Sequence, residues 1–246
     1  MAPYVEEHGI DFVIVNGENA AQGSGLTENL FKEIVNAGAV VVTAYVAADG
    51  ERSALLAKVQ YEKDWAKSVL QSVCRIQRLA VKGADPKKVF DCLLGEFLRL
   101  TDSEYGFIGE VFYSKEKRQK YLKTRAITNI AWDQATRVFY EEHAPDGLEF
   151  FNLDTLFGHV IRTEETVLSN APGRDPRAGG LPPGHPAMSC FLGLPLADQD
   201  GMVGMVGLAN SREGYSEKVI AQLEPLLNAG AQLLRAHRAQ LAEAET

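Results

Sequence analysis

Between Arg177 and Leu196 the chain reads RAGGLPPGHPAMSCFLGLPL, and this run carries an arginine, a histidine, a serine and a cysteine among four glycines and four prolines. Gly supplies positive φ or close backbone approach, while Pro fixes φ and removes a donor, so the segment is a shaped loop over a pocket. Arg177, His185 and Ser189 surround that loop and would hold an anionic or carboxylate ligand through charge-assisted hydrogen bonds. The competing reading pairs Arg177 with Asp175 or Asp133 and turns His185 onto the loop backbone. Trp132, in ITNIAWDQATR, sits beside Asn129 and Asp133, where an aromatic side chain would wall a small cavity.

Cys190 follows His185 by five residues, and a thiol–imidazole pair activates a nucleophile where the two meet. Pro186 intervenes, and alternation turns Cys190 and Leu192 to one face with Phe191 and Gly193 on the other. A resolving cysteine would have to be Cys74 or Cys92, both on helical patterns. Cys190 is therefore better read as a buried or pocket-lining small hydrophobe. The odd number of cysteines and the absence of CxxC fit neither a zinc knuckle nor a disulfide scaffold, and suit a reducing compartment. His8, His143, His159, His185 and His237 form no HxH or HxxxH pair. No metal set, no cofactor and no catalytic residue is expected.

The elements that must position these residues fall into three segments. Residues 1–49 read as strand, helix, strand: DFVIVNG, then TENLFKEIVNAG with Thr27 as N-cap, then AVVVTAYVAA. Such a βαβ unit is too small to bury both faces of its sheet alone. Residues 51–80 carry Leu55, Leu56, Val59, Trp65, Val69, Leu70, Val73, Ile76 and Leu79 at three- and four-residue spacing, without Pro or Gly. The run implies a helix of roughly 45 Å that seeks a coiled-coil or bundle partner. Asp85–Pro86 opens a further helix with Val89, Phe90, Leu93, Leu94, Phe97 and Leu98 inward.

From 104 to 210, YGFIGEVFYS and KYLKTRAITN flank the turn KEKRQK, and SCFLGLPLAD and MVGMVGLAN flank DQDG, giving two antiparallel hairpins. TLFGHVIRTEETVLSN lies between them as a short amphipathic helix followed by a strand. Residues 216–242 close the chain as a helix. Helices beside antiparallel hairpins make an α+β layer fold.

A net charge of −8 argues against a nucleic-acid partner, and 46% hydrophobic residues suffice for a core. No signal-peptide pattern and no apolar run of transmembrane length is present, so the segment reads as cytoplasmic with no direct membrane insertion. A membrane-bound parent architecture stays open.

LTDSEYGFIGEVF, ITNIAWDQATR, NLDTLFGHVIRTEETVLSN, DPRAGGLPPGHPAMSCFLGLPL and MVGLANSREGYSE occur in the order found in GAF domains. About residues 85–235 thus resemble the GAF domain of bacterial sensor histidine kinases and of cyclic-dinucleotide signalling enzymes. The resemblance implies a central antiparallel sheet with helices behind it, a ligand pocket in front, and sensing or dimerisation as the work. Stand-alone members of the superfold that reduce methionine sulfoxide with cysteines make a thiol-based oxidoreductase using Cys190 one alternative.

Residues 1–43, with IDFVIVNGENAAQGSGLTENLFKEIVNAGA, resemble a fragment of a bacterial metallophosphoesterase family acting on cyclic nucleotides. There the Glu–Asn of NGEN binds a dinuclear metal centre, and the pair here is Glu18 and Asn19. A two-metal site needs many more ligands. In place of the family's Gly-Asn-His motif this chain reads TAYVAADG. A metal-dependent phosphodiesterase is the second alternative.

The resulting expectation is a GAF-like α+β protein in three parts: a truncated βαβ segment at 1–49, a linker and dimerisation helix at 50–82, and a sensor domain at 83–242. It is expected to be a non-catalytic regulatory module, homodimeric through its flanking helices. Trp132, Asp133, Arg177, His185, Ser189 and Cys190 are its candidate residues for an unidentified small-molecule ligand.

Overall fold

In a computed structural model, the backbone is described for residues 12–14, 40–42, 49–128, 147–181 and 185–244. The chain divides into two compact units, Met1–Trp65 and Ala66–Thr246. In the first, β1 (Phe12–Ile14) and β2 (Val40–Val42) pair in parallel with Phe12 opposite Val40. Parallel neighbours require a crossover connection; the helix expected at 27–38, with Glu18 and Asn19, lies outside the described residues. Helix α1 (Asp49–Val81) starts in this unit, where Gln60 Nε2 donates to Asp64 Oδ2 at 3.0 Å.

The second unit is built on a six-stranded antiparallel sheet. Its strands are β3 (Tyr105–Ser114), β4 (Gln119–Ile127), β5 (Glu149–Phe150), β6 (Val167–Ser169), β7 (Phe191–Asp198) and β8 (Gly201–Ala209). They lie in the order β5-β4-β3-β8-β7-β6, with the hairpins β3–β4 and β7–β8 joined by pairing of β3 with β8. Both hairpins stand where the turns KEKRQK and DQDG place them.

Helix α2 (Pro86–Thr101) opens as its sequence requires: the Asp85 carboxylate accepts from Lys87 N at 2.7 Å and Pro86 takes the first position, where a missing N–H costs nothing. Val89, Phe90, Leu93, Leu94 and Phe97 are buried, Leu98 only half so. Burying each such side chain contributes about 1.5–3 kcal/mol.

The closing segment is two helices, α4 (Glu217–Gln222) and α5 (Glu224–Ala244), not one. Pro225 supplies no N–H to the preceding turn, so the helical ladder is interrupted there. Fully buried Leu223 stands at the break. Helices α2 and α5 pack on one sheet face, where Gly230 of α5 lies against the side chains of Leu196 and Leu93. Leu192, Leu194 and Leu196 of β7 are fully buried.

The opposite face is covered by α3 (Leu156–Thr163), capped by Thr155 Oγ1, which accepts from Gly158 N at 3.0 Å. Leu156, Val160 and Ile161 join Leu122, Val167, Phe191 and Met205 in its apolar layer. Phe191 and Gly193 thus face α3 while Leu192 and Leu194 do not, which is the alternation expected of this strand.

Part of the α1 stripe is covered inside the chain. Val69 and Ile76 are buried, and Ser72 Oγ donates to Glu96 Oε2 of α2 at 2.7 Å. Arg99 and Arg75 also pair with Glu96. Burial pushes the Glu96 carboxyl up, but the Ser72 and Arg99 hydrogen bonds and the arginine charges outweigh it and leave its pKa below the usual value. Leu70 remains 63% exposed. Among the described residues no helix is long and apolar enough to cross a membrane.

Candidate functional site

Three of the candidate residues, His185, Ser189 and Cys190, lie at one end of the sheet, where β3 and β7 begin and β8 ends. The sheet face under α3 is too close-packed for a ligand at its centre. A Cβ on Gly193 would stand 2.7 Å from a Val160 methyl, and one on Gly207 would collide with the Phe107 ring. Glycine here admits the apolar layer itself.

At the strand starts the packing turns polar, and Asn210 organises it. Its φ of +59° is a left-handed conformation that Asn tolerates better than most residues. From there its Oδ1 accepts from Ser189 N at 2.8 Å and Ser189 Oγ at 3.1 Å. Its Nδ2 donates to Glu104 Oε2 at 2.8 Å and Ala187 O at 3.1 Å, and its backbone N–H to Cys190 O at 3.1 Å. One side chain therefore ties the end of the Gly-Pro loop to the entry of β3. Sequence reasoning passed over Asn210; the visible signal was an Asn directly after an apolar strand.

His185 brings its ring edge-on to Tyr105, with centroids 5.9 Å apart, and its Nδ1 lies 2.9 Å from Pro186 O. In the neutral tautomer whose Nδ1 donates to that carbonyl, Nε2 is an acceptor. Backbone capping by His185 is thus one role the geometry shows. Tyr105, also missed from sequence, is 8% exposed and its hydroxyl has no hydrogen-bond partner among the described residues. Burial, with the charge of Glu104 and the nearby Cys190, pushes its pKa up to about 12, so it is a neutral donor.

Cys190 is buried, and its Sγ lies 3.5 Å from Ser211 O. A sealed thiol on a carbonyl is not the accessible nucleophile that the oxidoreductase alternative requires. All three cysteines are free, Cys74 exposed and Cys92 half-buried with a raised pKa, chiefly from burial and then from Glu96. Beneath Cys190 a hydroxyl chain runs from Tyr215 through Ser103 to Thr101, each step 2.7 Å, ending on Phe97 O. Burial holds the Tyr215 hydroxyl above its ordinary pKa.

Arg177 stands apart from this corner. Its Nε and Nη2 form a fork on the two Asp175 oxygens at 2.9 and 2.7 Å, and Nη2 reaches Leu168 O at 3.3 Å. The fork holds the Asp175 carboxyl well below the usual carboxylate range. Of the two roles open to Arg177, this is the ion pair with Asp175; no hydrogen bond joins it to His185, Ser189 or Cys190. Trp132 and Asp133 lie outside the described residues.

A separate open groove of about 730 Å³ lies between the β3–β4 turn and α3, with Lys120, Phe151 and Arg162 in its walls. Its cations are already engaged, Lys120 with Glu164 at 3.0 Å and Arg162 with Asp154 at 3.2 Å. Among the described residues, no three His, Cys, Asp or Glu side chains converge as metal ligands would.

Residues 1–45 match the model of the family described as YmdB-like protein. Of curated proteins, the methyl sulfide methyltransferase-associated sensor of Methanosarcina acetivorans is 26% identical over 181 residues, which is 72% of this chain. The match takes in only 16% of that relative's length. The fold is similar to that of the GAF domain of a phosphoenolpyruvate-protein phosphotransferase from Coxiella burnetii, at TM-score 0.55, 14% identity, and 72% and 98% of the two chains. The corresponding Acinetobacter domain gives 0.52 and 15%, with 71% and 97% covered. At these identities the likeness is one of fold. With residues 83–235 matching the model described as GAF domain, the chain belongs to the GAF domain family.

Proposed function

We propose that this chain is a non-catalytic sensor module that holds a small polar molecule at the Tyr105–His185–Ser189–Cys190 corner and pairs with a second copy through α1 and α5. The observation that carries the reading is the Tyr105 hydroxyl, buried beside the His185 ring and without a partner among the described residues. Leaving such a group unpaired costs about 1–3 kcal/mol, which an acceptor atom on a ligand would offset. The corner offers this donor together with the His185 Nε2 acceptor. The burial of Cys190 favours a binding role over a catalytic one.

Native mass spectrometry of the freshly purified chain, beside its Tyr105→Phe variant, tests the reading. A co-purified small molecule that the variant loses is the expected result. If the parent carries none and Tyr105→Phe is more heat-stable, the hydroxyl is only an unsatisfied core group and the reading fails. Pairing rests on the exposed Leu70 and on Leu241, 44% exposed near the end of α5. It requires sedimentation at the mass of two chains.

A further inference from the structure

The far end of α5 is attached to the sheet by different chemistry from the rest of the helix. As far as Leu234 the contact is apolar, through buried Leu226, Ala229, Ala231 and Leu234. Beyond Leu234, among the described side chains of α5, none is fully buried. Attachment there passes to Arg235, His237 and Arg238.

Arg235 donates Nε and Nη2 to the two oxygens of Asp198, both at 2.7 Å, and Nη2 also to Gly201 O at 3.1 Å, at the β7–β8 turn. Arg238 donates Nε to Glu110 Oε1 at 2.8 Å and Nη2 to Val111 O at 3.0 Å, in β3. Glu110 is fully buried, and Arg125 of β4 holds its other oxygen at 2.6–2.7 Å. The two arginines therefore grip different hairpins. Planar two-point grips fix angle as well as distance, so the helix end cannot turn or slide without loosening both.

Between them His237 packs edge-on to Phe90 of α2 at 5.6 Å, and its Nδ1 is buried with no partner among the described residues. Arg125 and Glu110 are the charged groups that act on it. Docking thus leaves one polar group unsatisfied that release into water would satisfy. The same strands that carry the clamps lead to the polar corner: β3 begins at Tyr105 and carries Glu110, and β7 begins just after Cys190 and ends at Asp198.

We propose that residues 235–244 are a releasable latch, docked by one arginine clamp on each hairpin, at Asp198 and at Glu110, and freed when these clamps open. The latch rests on the sensor reading for what would open the clamps, but its existence does not depend on a ligand.

The test is hydrogen exchange on the full chain, comparing the parent with Arg235→Gln, Arg238→Gln and the double variant. Glu110 keeps Arg125 in each, so no buried carboxylate is orphaned. The expected result is exchange about tenfold faster or more at amides 235–240 in the double variant, with amides of β7 and β8 changed less than about twofold. Unchanged rates at 235–240 would show that the clamps hold nothing. Equal acceleration in helix and sheet would show that the arginines serve general stability alone; either result overturns the latch. A parent free of any co-purified molecule would remove the sensing proposal and leave these rates as they are.

Discussion

Replacing Arg177 by alanine separates a brace from a ligand-binding arginine. Asp175, which Arg177 grips through both oxygens, has a side chain only 8% exposed, while that of Arg177 is 32% exposed. A fully exposed pair is worth at most about 1 kcal/mol. A buried pair broken on one side costs about 3–5 kcal/mol, because a charge is left without its partner. One partner here is buried and the other mostly so, which places the loss at about 2–3 kcal/mol, between the two limits. At about 2–4 °C per kcal/mol for a domain of this size, the melting temperature falls by about 4–12 °C. Because the Asp175 pKa is depressed in the folded chain, its stabilising effect is present above the ordinary value of 3.8 and is lost as pH falls through the lower folded value. Arg177→Ala should therefore weaken acid sensitivity in that range. Removing both partners leaves no orphaned carboxylate, so Asp175→Ala/Arg177→Ala should recover part of the loss. Thermal melts across pH decide it. A drop below about 1 kcal/mol, with the double variant no better than the single, refutes the brace as a solvated surface pair.

Three further sets of measurements bear on other features. His237 has a folded pKa below its ordinary 6.5, from burial first and Arg125 second; stability should hold above pH 6.5 and decline as pH falls through the lower folded value, and His237→Phe should flatten that slope in denaturant titrations. A Cβ on Gly179 would collide with Asp154 O, whereas Gly180 has open space but a φ of +84°, so Gly179→Ala should lower stability more than Gly180→Ala, whose cost is about 1–2 kcal/mol of backbone strain. Equal melting temperatures would contradict that ordering. Leu70→Glu with Val73→Glu should shift sedimentation to a single chain at micromolar concentration, and an unchanged mass would remove α1 from the pairing surface.

Features decided within a few residues could be read in advance. Asp85 and Pro86 cap α2 because both requirements are local, and each hairpin follows from a polar turn between alternating apolar runs. The Phe191/Leu192 division was equally legible, since period-two alternation needs no knowledge of what lies on either side. The closing helix shows where local reading stopped short: Val219, Leu223, Leu226 and Leu227 keep helical spacing across the break, so periodicity concealed what Pro225 does to the ladder. That part of the α1 stripe packs inside the chain was not legible, because nothing local shows that Glu96, twenty-four residues on, meets Ser72.

The site was less legible, because its chemistry comes from partners distant in sequence. Arg177 and His185 were singled out for their types, yet what each does depends on geometry: Asp175 two residues away claims the first, and the Pro186 carbonyl engages the second. Asn210 and Tyr105 carry no motif, and they matter only because β3 and β8 pair so that Tyr105 lies opposite Ala209. That register sets Asn210 beside Glu104 and the end of the Gly-Pro loop. Glu110 carries no motif either, and Arg125 and Arg238 enclose it from a neighbouring strand and from a helix 128 residues away in sequence. A buried carboxylate with two arginines from different elements constrains where those elements can sit, which is more than apolar packing at the same position would do. The polar corner and the arginine clamps are therefore consequences of strand register. A one-residue slip of β3 would turn Tyr105 and Glu110 to the opposite faces of the sheet and dismantle both together.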